Sequence, residues 1–284
     1  LEPDVMAFNT AIRSCDNSQQ PERALELFDA MQRQHLTPDV LAYNAAISAC
    51  SKGHQPEQSL ELLQGMREVG VTPNVITYSA AISACEKSRQ PERALEFLRG
   101  MQQQGLTPDV ITYNAAISAC EKGQHPERAL DLLRGMQEQG LTPNVITYNA
   151  AISACEHSFQ PQSALKLLQA MQQQSVRPDV ITYNAAISAC NKGLKPEWAL
   201  ELLRGMKQKD LKPDALTYSV AINACSKSQQ LEMALKLLQG LRRTEVQREG
   251  FMPEARTPIS VVESSLAHSS GLLGEELAED LECA

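Results

Sequence analysis

The chain has 284 residues, 43% of them hydrophobic and only 4% aromatic, with a formal net charge of −8 at neutral pH. The acidity is concentrated near the C-terminus: residues 241–284 hold 4 basic and 9 acidic side chains, which leaves the first 240 residues at a net −3. This excludes a strongly basic protein but allows a basic stripe on one face. No apolar run approaches the roughly 18 to 20 residues that span a bilayer, so no membrane partner is expected.

A stretch typified by PDVITYNAAISAC, residues 108–120, recurs every 35 residues. A fixed period of this length predicts an α-solenoid, in which each unit buries its apolar face against its neighbours. Residues 1–4 are interpreted as the end of a preceding repeat in a longer protein. The predicted repeats span residues 5–39, 40–74, 75–109, 110–144, 145–179 and 180–214, with a degenerate seventh at 215–254.

Residues 110–144 illustrate the unit. Apolar residues at helical spacing predict a first helix from Val110 to Glu121, preceded by Asp109 as its N-cap. Pro126 suits the first position of a second helix, and Gly140 ends it. Each repeat is therefore predicted to be a helical hairpin. In the seventh, Leu231 replaces this proline, and the Ser-rich, acidic residues 255–284 are expected to be disordered or to form a capping helix.

Two side-chain series are interpreted as structural. Tyrosine, or Phe8 in the first repeat, lies three residues before a buried alanine in every first helix and is expected to pack between helices. Seven of the eight cysteines share one helix position. Neighbouring helix axes are about 8–10 Å apart, too far for a disulfide, so these cysteines are predicted to be small, reduced core residues. No paired Cys/His spacing predicts a metal site.

The 35-residue period and the pattern VITYNAAISAC…ALELL..M…GLTPD over about residues 3–240 resemble the pentatricopeptide repeat family. The tetratricopeptide repeat fits less well, because its period is one residue shorter and its Trp and Gly-Tyr signature is absent. The resemblance implies a right-handed all-α solenoid with a concave groove lined by first helices. It also implies a single-stranded RNA partner in plastids or mitochondria, read at about one base per repeat.

In that family, the fifth and last residues of a repeat read the base. The corresponding pairs here are Asn9 with Asp39, Asn44 with Asn74, Ser79 with Asp109, Asn114 with Asn144, Asn149 with Asp179, and Asn184 with Asp214. In the seventh repeat Ser219 is the fifth residue, and its partner is Glu249 or Glu254.

Their chemistry suggests a register. An ionised Asp only accepts hydrogen bonds and suits the ring N–H of U or G, whereas Asn can also donate and suits C or A. Ser is shorter and leaves room for a purine. Combined with family usage, the predicted order from the 5′ end is U, C or U, G, C or U, U, U and a purine.

Two further series are assigned to RNA. The resemblance implies that the second residue of each repeat flanks the bases, although position alone equally allows core packing. These residues are Met6, Leu41, Ile76, Ile111, Ile146, Ile181 and Leu216.

Five lysines share the end of the first helix, where they could contact successive phosphates or interact with the helix dipole. They are Lys52, Lys87, Lys122, Lys192 and Lys227.

No P-loop, GxGxxG or zinc-deaminase motif is present, and the five histidines occupy no recurring site. The chain is therefore predicted not to be an enzyme and to bind neither a cofactor nor a small-molecule substrate. The predicted outcome is processing, stabilisation, editing or translation of an organellar transcript, through occupancy of the RNA or other RNA-processing proteins. The alternative is a tetratricopeptide-like scaffold that binds a peptide in the same groove, which the near-neutral charge favours.

Overall fold

A computed structural model describes residues 3–53, 55–227, 234 and 236–237. Every regular element in these residues is an α-helix of 13 residues. The helices are α1 Val5–Asn17, α2 Pro21–Arg33, α3 Val40–Lys52, α4 Pro56–Glu68, α5 Val75–Lys87, α6 Pro91–Gln103, α7 Val110–Lys122, α8 Pro126–Glu138, α9 Val145–His157, α10 Pro161–Gln173, α11 Val180–Lys192, α12 Pro196–Gln208 and α13 Ala215–Lys227. The predicted all-α solenoid of tandem hairpins is confirmed.

The helices form two compact units, Leu1–Ala154 and Cys155–Ala284. In the first unit, consecutive first helices pack side by side (α1 on α3, α3 on α5, α5 on α7), and each second helix packs on the first helix of the next repeat. In the second unit, α11 packs on α13, and α10 and α12 pack on α11 and α13 in the same way. The second helix of the seventh repeat and the predicted tail at 255–284 lie outside the described residues.

Helix starts follow from short polar residues and proline. The first helices have Asp or Asn as N-cap, as at Asp39, whose carboxylate accepts the N–H of Ala42 at 2.9 Å. The second helices place Pro at their first position, where no N–H is needed, as at Pro126. The predicted start of each element in the type repeat is confirmed, and α7 ends one residue later than predicted, at Lys122.

Helix ends use a left-handed residue to reverse the chain. After α1, Gln19 has φ 53° and the N–H of Gln20 donates to the carbonyl of Cys15 at 3.0 Å. After α8, Gly140 has φ 77°, as predicted, and the N–H of Leu141 reaches the carbonyl of Met136 at 3.1 Å. Both are Schellman-type endings, which satisfy carbonyls that the helix leaves free.

The core consists of small and aliphatic side chains with one aromatic residue in each first helix, to which Phe28 of α2 adds a second in the first repeat. Ala116, Ile117 and Cys120 of α7 have no exposed surface, and Tyr113 is 2% exposed. The structural interpretation of the tyrosines is confirmed, since all six and Phe8 are buried. Alanines at the helix contacts allow this close approach. None of the helices in the described part of the chain has the length and apolar character needed to cross a membrane.

The cysteines are expected to be chemically inert in the folded protein. Six of the seven described thiols are buried, and Cys15 is half-buried. Burial raises the pKa of Cys50 and Cys85 from 9.0 to about 12, so at mildly alkaline pH they stay as unreactive thiols. In a Cys283→Ser variant, a thiol reagent should modify Cys15 first and the other six only after denaturation. Rapid modification of all seven in the native protein would contradict the burial.

A close contact between repeats is expected to make the packing sensitive to substitution of Gly123. A Cβ on Gly123 would lie 2.4 Å from Cγ of Pro91 in the preceding repeat. Gly123→Ala should therefore destabilise the fold by about 1–3 kcal/mol, measured by urea unfolding. The matched control is Gly135→Ala in α8, where the nearest atom is the Tyr113 hydroxyl at 3.9 Å. It should instead stabilise by about 0.5–1 kcal/mol. Equal effects of the two substitutions would contradict this contact.

Candidate nucleic-acid interface

The last residue of each of the first six repeats is also the N-cap of the next first helix. At Asp214, Oδ1 accepts the N–H of Thr217 at 2.8 Å and lies 2.7 Å from its hydroxyl. At Asn74, Oδ1 accepts the N–H of Thr77 at 3.1 Å and also lies 3.1 Å from its hydroxyl. Because the helix end holds one oxygen in place, the side chain has a fixed orientation. The second atom, Oδ2 in Asp or Nδ2 in Asn, differs in hydrogen-bonding character between the two residue types.

The structure brings together the fifth and last residues of a repeat in four of the predicted pairs. In each, the fifth-residue amide Nδ2 donates to a side-chain oxygen 30 residues later. The distances are 3.1 and 3.0 Å from Asn9 to the two oxygens of Asp39, 3.3 Å for Asn44 with Asn74, 3.3 Å for Asn114 with Asn144, and 3.3 and 3.4 Å for Asn184 with Asp214.

The other three fifth residues are Ser79, Asn149 and Ser219. The Ser79 hydroxyl lies 2.6 Å from the Thr112 hydroxyl, which in turn donates to Asp109 at 2.7 Å, so this pair is linked through a third side chain. Asn149 belongs to the first unit and Asp179 to the second. Ser219 is half-buried, and both of its proposed partners, Glu249 and Glu254, lie outside the described residues.

A buried threonine at the third position was missed by sequence reasoning. The Thr77 hydroxyl lies 2.6 Å from Oδ1 of Asn44, and the Thr147 hydroxyl lies 2.5 Å from Oδ1 of Asn114. Both threonines are completely buried. The available signal was an Asn or Asp followed three residues later by Thr, which indicates reciprocal capping at a helix start. That pattern gives no sign of the second bond, to a residue 33 positions earlier.

The Asp214 carboxyl is held in its ionised form. Burial raises its pKa, but hydrogen bonds from the backbone and hydroxyl of Thr217 and from the Asn184 amide lower it by more, so the pKa is below its ordinary value. The carboxylate is therefore a hydrogen-bond acceptor at neutral pH.

The second residue of every repeat is exposed. All seven side chains lie between 59% and 67% exposed: Met6, Leu41, Ile76, Ile111, Ile146, Ile181 and Leu216. Core packing, the alternative allowed by their position in the sequence, is thereby excluded. In the first unit, Met6, Leu41 and Ile76 line a groove of about 290 Å³ that also includes Asn9 and Asn44.

The lysine series forms contacts between repeats. Nζ of Lys52 lies 2.8 Å from Oδ1 of Asp16, and Nζ of Lys122 lies 2.7 Å from Oε1 of Glu86. Lys192 pairs with a carboxylate in the same way, Glu156 at 2.9 Å, whereas Lys87 donates to the carbonyl of Ser51 at 2.8 Å. Lys227 is exposed at the end of α13. Three of the five charges are thus balanced by a neighbour, and phosphate contact by this series stays a prediction.

The surroundings of Lys87 disfavour its charged form. Burial lowers the pKa of Lys87, and the positive charges of Lys52 and Lys122 lower it further against the opposite effect of Glu86.

Among the residues that the structure describes, no group of three or more His, Cys, Asp or Glu side chains is arranged to hold a metal ion.

Similar solved structures come from plants. The pentatricopeptide repeat protein PPR10 from maize is 26% identical over 95% of this chain, with a TM-score of 0.64, and the chain spans 40% of its length. PPR10 in complex with an 18-nt psaJ RNA element gives 19% identity and a TM-score of 0.57 over 95% of this chain and 43% of that one.

The pentatricopeptide repeat domain of Arabidopsis thaliana protein-only RNase P 1, solved in complex with tRNA, gives 18% identity. Its TM-score is 0.55, over 60% of this chain and 90% of that one. At these identities, the two RNA complexes show likeness of fold alone. A search of curated protein sequences found no match.

Family models match nearly all of the repeat region. They are the pentacotripeptide-repeat region of PRORP at 3–123, the pentatricopeptide repeat domain at 96–157, the PPR repeat family at 143–192, and the PPR repeat at 181–211 and 216–244. These matches coincide with the hairpins and with the recurring fifth and last residues described above. The chain is a member of the pentatricopeptide repeat family.

Proposed function

We propose that this chain binds single-stranded RNA in a sequence-dependent manner, with each repeat reading about one base. The observation that carries the proposal is the hydrogen-bonded pairing of fifth and last residues, seen in four repeats. In the first six repeats, the fifth residue is Asn or Ser and the last residue is Asp or Asn. A choice among small polar side chains at one paired site per repeat is expected of a reader of bases.

The helix cap supports a choice between acceptor and donor. In Asp214, Oδ1 accepts the N–H of Thr217 and faces its hydroxyl, so Oδ2 is the atom that can accept the ring N–H of U. In Asn74, Oδ1 accepts the N–H of Thr77 and faces its hydroxyl, so Nδ2 can donate to the ring nitrogen of C. One backbone arrangement thus supports either preference, depending on a single atom of the side chain.

The exposed aliphatic residues support a base-flanking role. Ile111 is 67% exposed and is the second residue of the helix that Asp109 caps. Covering the face of a base would remove its apolar surface from water, which is favourable. The proposed register is U, C or U, G, C or U, U, U and a purine, with the second residue of each repeat between successive bases. The orientation, 5′ base at the first repeat, follows the family.

The proposed biological role is non-enzymatic. By occupying its site or by recruiting other RNA-processing proteins, the chain would affect processing, stability, editing or translation of a transcript in a plastid or mitochondrion. The base-by-base preference, the compartment and the outcome all derive from the family, to which the solved plant proteins with psaJ RNA and with tRNA also belong.

The test is the binding of labelled UCGCUU and UUGUUU compared with a purine-only hexamer. Both pyrimidine-rich RNAs should bind more tightly than the control. Equal binding to all three, or binding to none, would contradict the proposal and favour the peptide-binding scaffold.

Salt dependence tests the lysines separately. If all five contacted phosphates, the logarithm of the binding constant would fall with the logarithm of salt concentration at a slope of about −3.5. The pairing of Lys52, Lys122 and Lys192 with carboxylates leads us to expect a much shallower slope. A slope near the full value would show that RNA displaces these ion pairs.

A further inference from the structure

The third residue of five repeats is a threonine with no exposed surface: Thr77, Thr112, Thr147, Thr182 and Thr217. The first two repeats have Ala7 and Ala42 instead. A buried hydroxyl must find a partner, because leaving it unpaired costs more than an apolar side chain in the same place. Within its own helix, this hydroxyl interacts with the N-cap, as Thr217 does with Asp214 at 2.7 Å.

The same hydroxyl reaches the fifth residue of the preceding repeat. The single proton of the Thr77 hydroxyl is directed to Oδ1 of Asn44 at 2.6 Å, which is closer than Oδ1 of Asn74 at 3.1 Å. The Thr217 hydroxyl lies 2.7 Å from Oδ1 of Asn184 and can donate to it in the same way. Because the Asn oxygen is taken by this donor, its Nδ2 must point the other way, toward the last residue. The contact therefore determines the orientation of the Asn44 amide: Oδ1 faces Thr77 and Nδ2 faces Asn74.

A serine at the fifth position uses the threonine differently. Ser79 lies 2.8 Å from the carbonyl of Val75 as well as 2.6 Å from the Thr112 hydroxyl. Since a hydroxyl can both donate and accept, Thr112 can donate to Asp109 and accept from Ser79, or donate to Ser79 while Ser79 donates to the carbonyl of Val75. The same residue thus supports both kinds of fifth side chain.

The first repeat provides a natural comparison without the threonine. Asn9 is 8% exposed, and its Oδ1 is buried with no hydrogen-bond partner, because Ala42 has no hydroxyl to offer. Only the bonds from Nδ2 to Asp39 orient this amide. An unsatisfied buried acceptor of this kind weakens the packing that holds the side chain in one position.

We infer that the threonine at the third position of a repeat is a positioning residue for base reading by the preceding repeat. Each reading site then comprises three side chains: the fifth residue, the last residue, and the third residue of the next repeat. This inference depends on the proposed RNA binding. It follows that the first repeat, whose site contains Ala42, distinguishes bases less sharply than the fourth, whose site contains Thr147.

The test adds the hydroxyl in one repeat and removes it in another. Ala42→Thr should increase the affinity ratio between U and the other bases at the first position by about five- to tenfold. Thr147→Val should reduce the preference for C or U over purines at the fourth position by a similar factor, and Thr147→Ser, which keeps the hydroxyl, should restore it. Preferences at the other positions should not change.

The matched control is Ala7→Thr. It introduces the same capping hydroxyl beside Asp4, the N-cap of α1. Among the described residues, no fifth residue of a preceding repeat is present for this hydroxyl to contact, as Asn9 is for residue 42. This control should leave base preference at the seven predicted positions unchanged while reproducing any stabilisation of the helix start. If Ala42→Thr raised only the melting temperature, or if Thr147→Val kept its fourth-base preference, the threonine would be a helix cap alone and the inference would be wrong. Absence of base preference in the unaltered protein would instead overturn the proposed function, and the inference with it.

Discussion

Asp214→Asn is expected to change the preference of the sixth repeat from U to C by about tenfold in relative affinity. The carboxylate, whose pKa is held below its ordinary value chiefly by Thr217 against the effect of burial, can only accept a hydrogen bond. The amide would keep Oδ1 toward Thr217, as Asn74 does toward Thr77, and would present Nδ2 in place of Oδ2. Competition between RNAs that differ only at the sixth base measures the change.

The fold itself should tolerate Asp214→Asn, because Asn already caps α5 through the same reciprocal bonds. The matched reverse variant is Asn144→Asp in the fourth repeat, where Asn114 lies at 3.3 Å. It should replace the preference for C or U with one for U. If both variants melted as the unaltered protein does and neither changed its base preference, the last residue would have no part in reading.

Ile111→Ala is expected to weaken RNA binding by about tenfold without loss of stability. Ile111 is 67% exposed, so its truncation removes little from the folded chain, and the change in unfolding free energy should stay within about 0.5 kcal/mol. In the proposed complex, the same side chain covers the faces of two bases, and that apolar contact would be lost. Affinity for UCGCUU, measured together with urea unfolding, separates the two effects.

Two variants make this result interpretable. Val69→Ala truncates an aliphatic side chain that is 57% exposed but stands at the end of the second helix α4, and it should leave RNA affinity unchanged. Ile117→Ala removes a completely buried side chain from the same helix as Ile111 and should cost about 2–5 kcal/mol of stability. Similar affinity losses from Ile111→Ala and Val69→Ala would argue against a base-flanking role.

Periodicity made the fold predictable to a high degree. Asp109 and Pro126 mark helix starts through the backbone alone: Asp109 accepts the N–H of Thr112, and Pro126 stands where no N–H is needed. The end of α7 at Lys122 was missed by one residue, because the left-handed residue that reverses the chain is Gln124, which the sequence does not mark as Gly would.

The contacts of polar side chains were less predictable. The lysines share a position that favours both phosphates and a helix C-terminus, and only the packing of successive first helices shows that Lys122 meets Glu86. Those two residues are 36 positions apart, one more than the period. A pairing of this kind depends on the displacement of one repeat relative to the next. The sequence of a single repeat does not specify that displacement.

The sequence by itself determined the repeat, its helix starts and the identity of the variable fifth and last residues. The tertiary structure alone decided that residues such as Asn44 and Asn74 share a hydrogen bond, that Ile111 lies outside the core, and that a hydroxyl from Thr77 fixes the Asn44 amide. The physical reason is that periodicity specifies which positions are equivalent. Which positions meet across 30 or 33 residues depends on the stacking of whole hairpins.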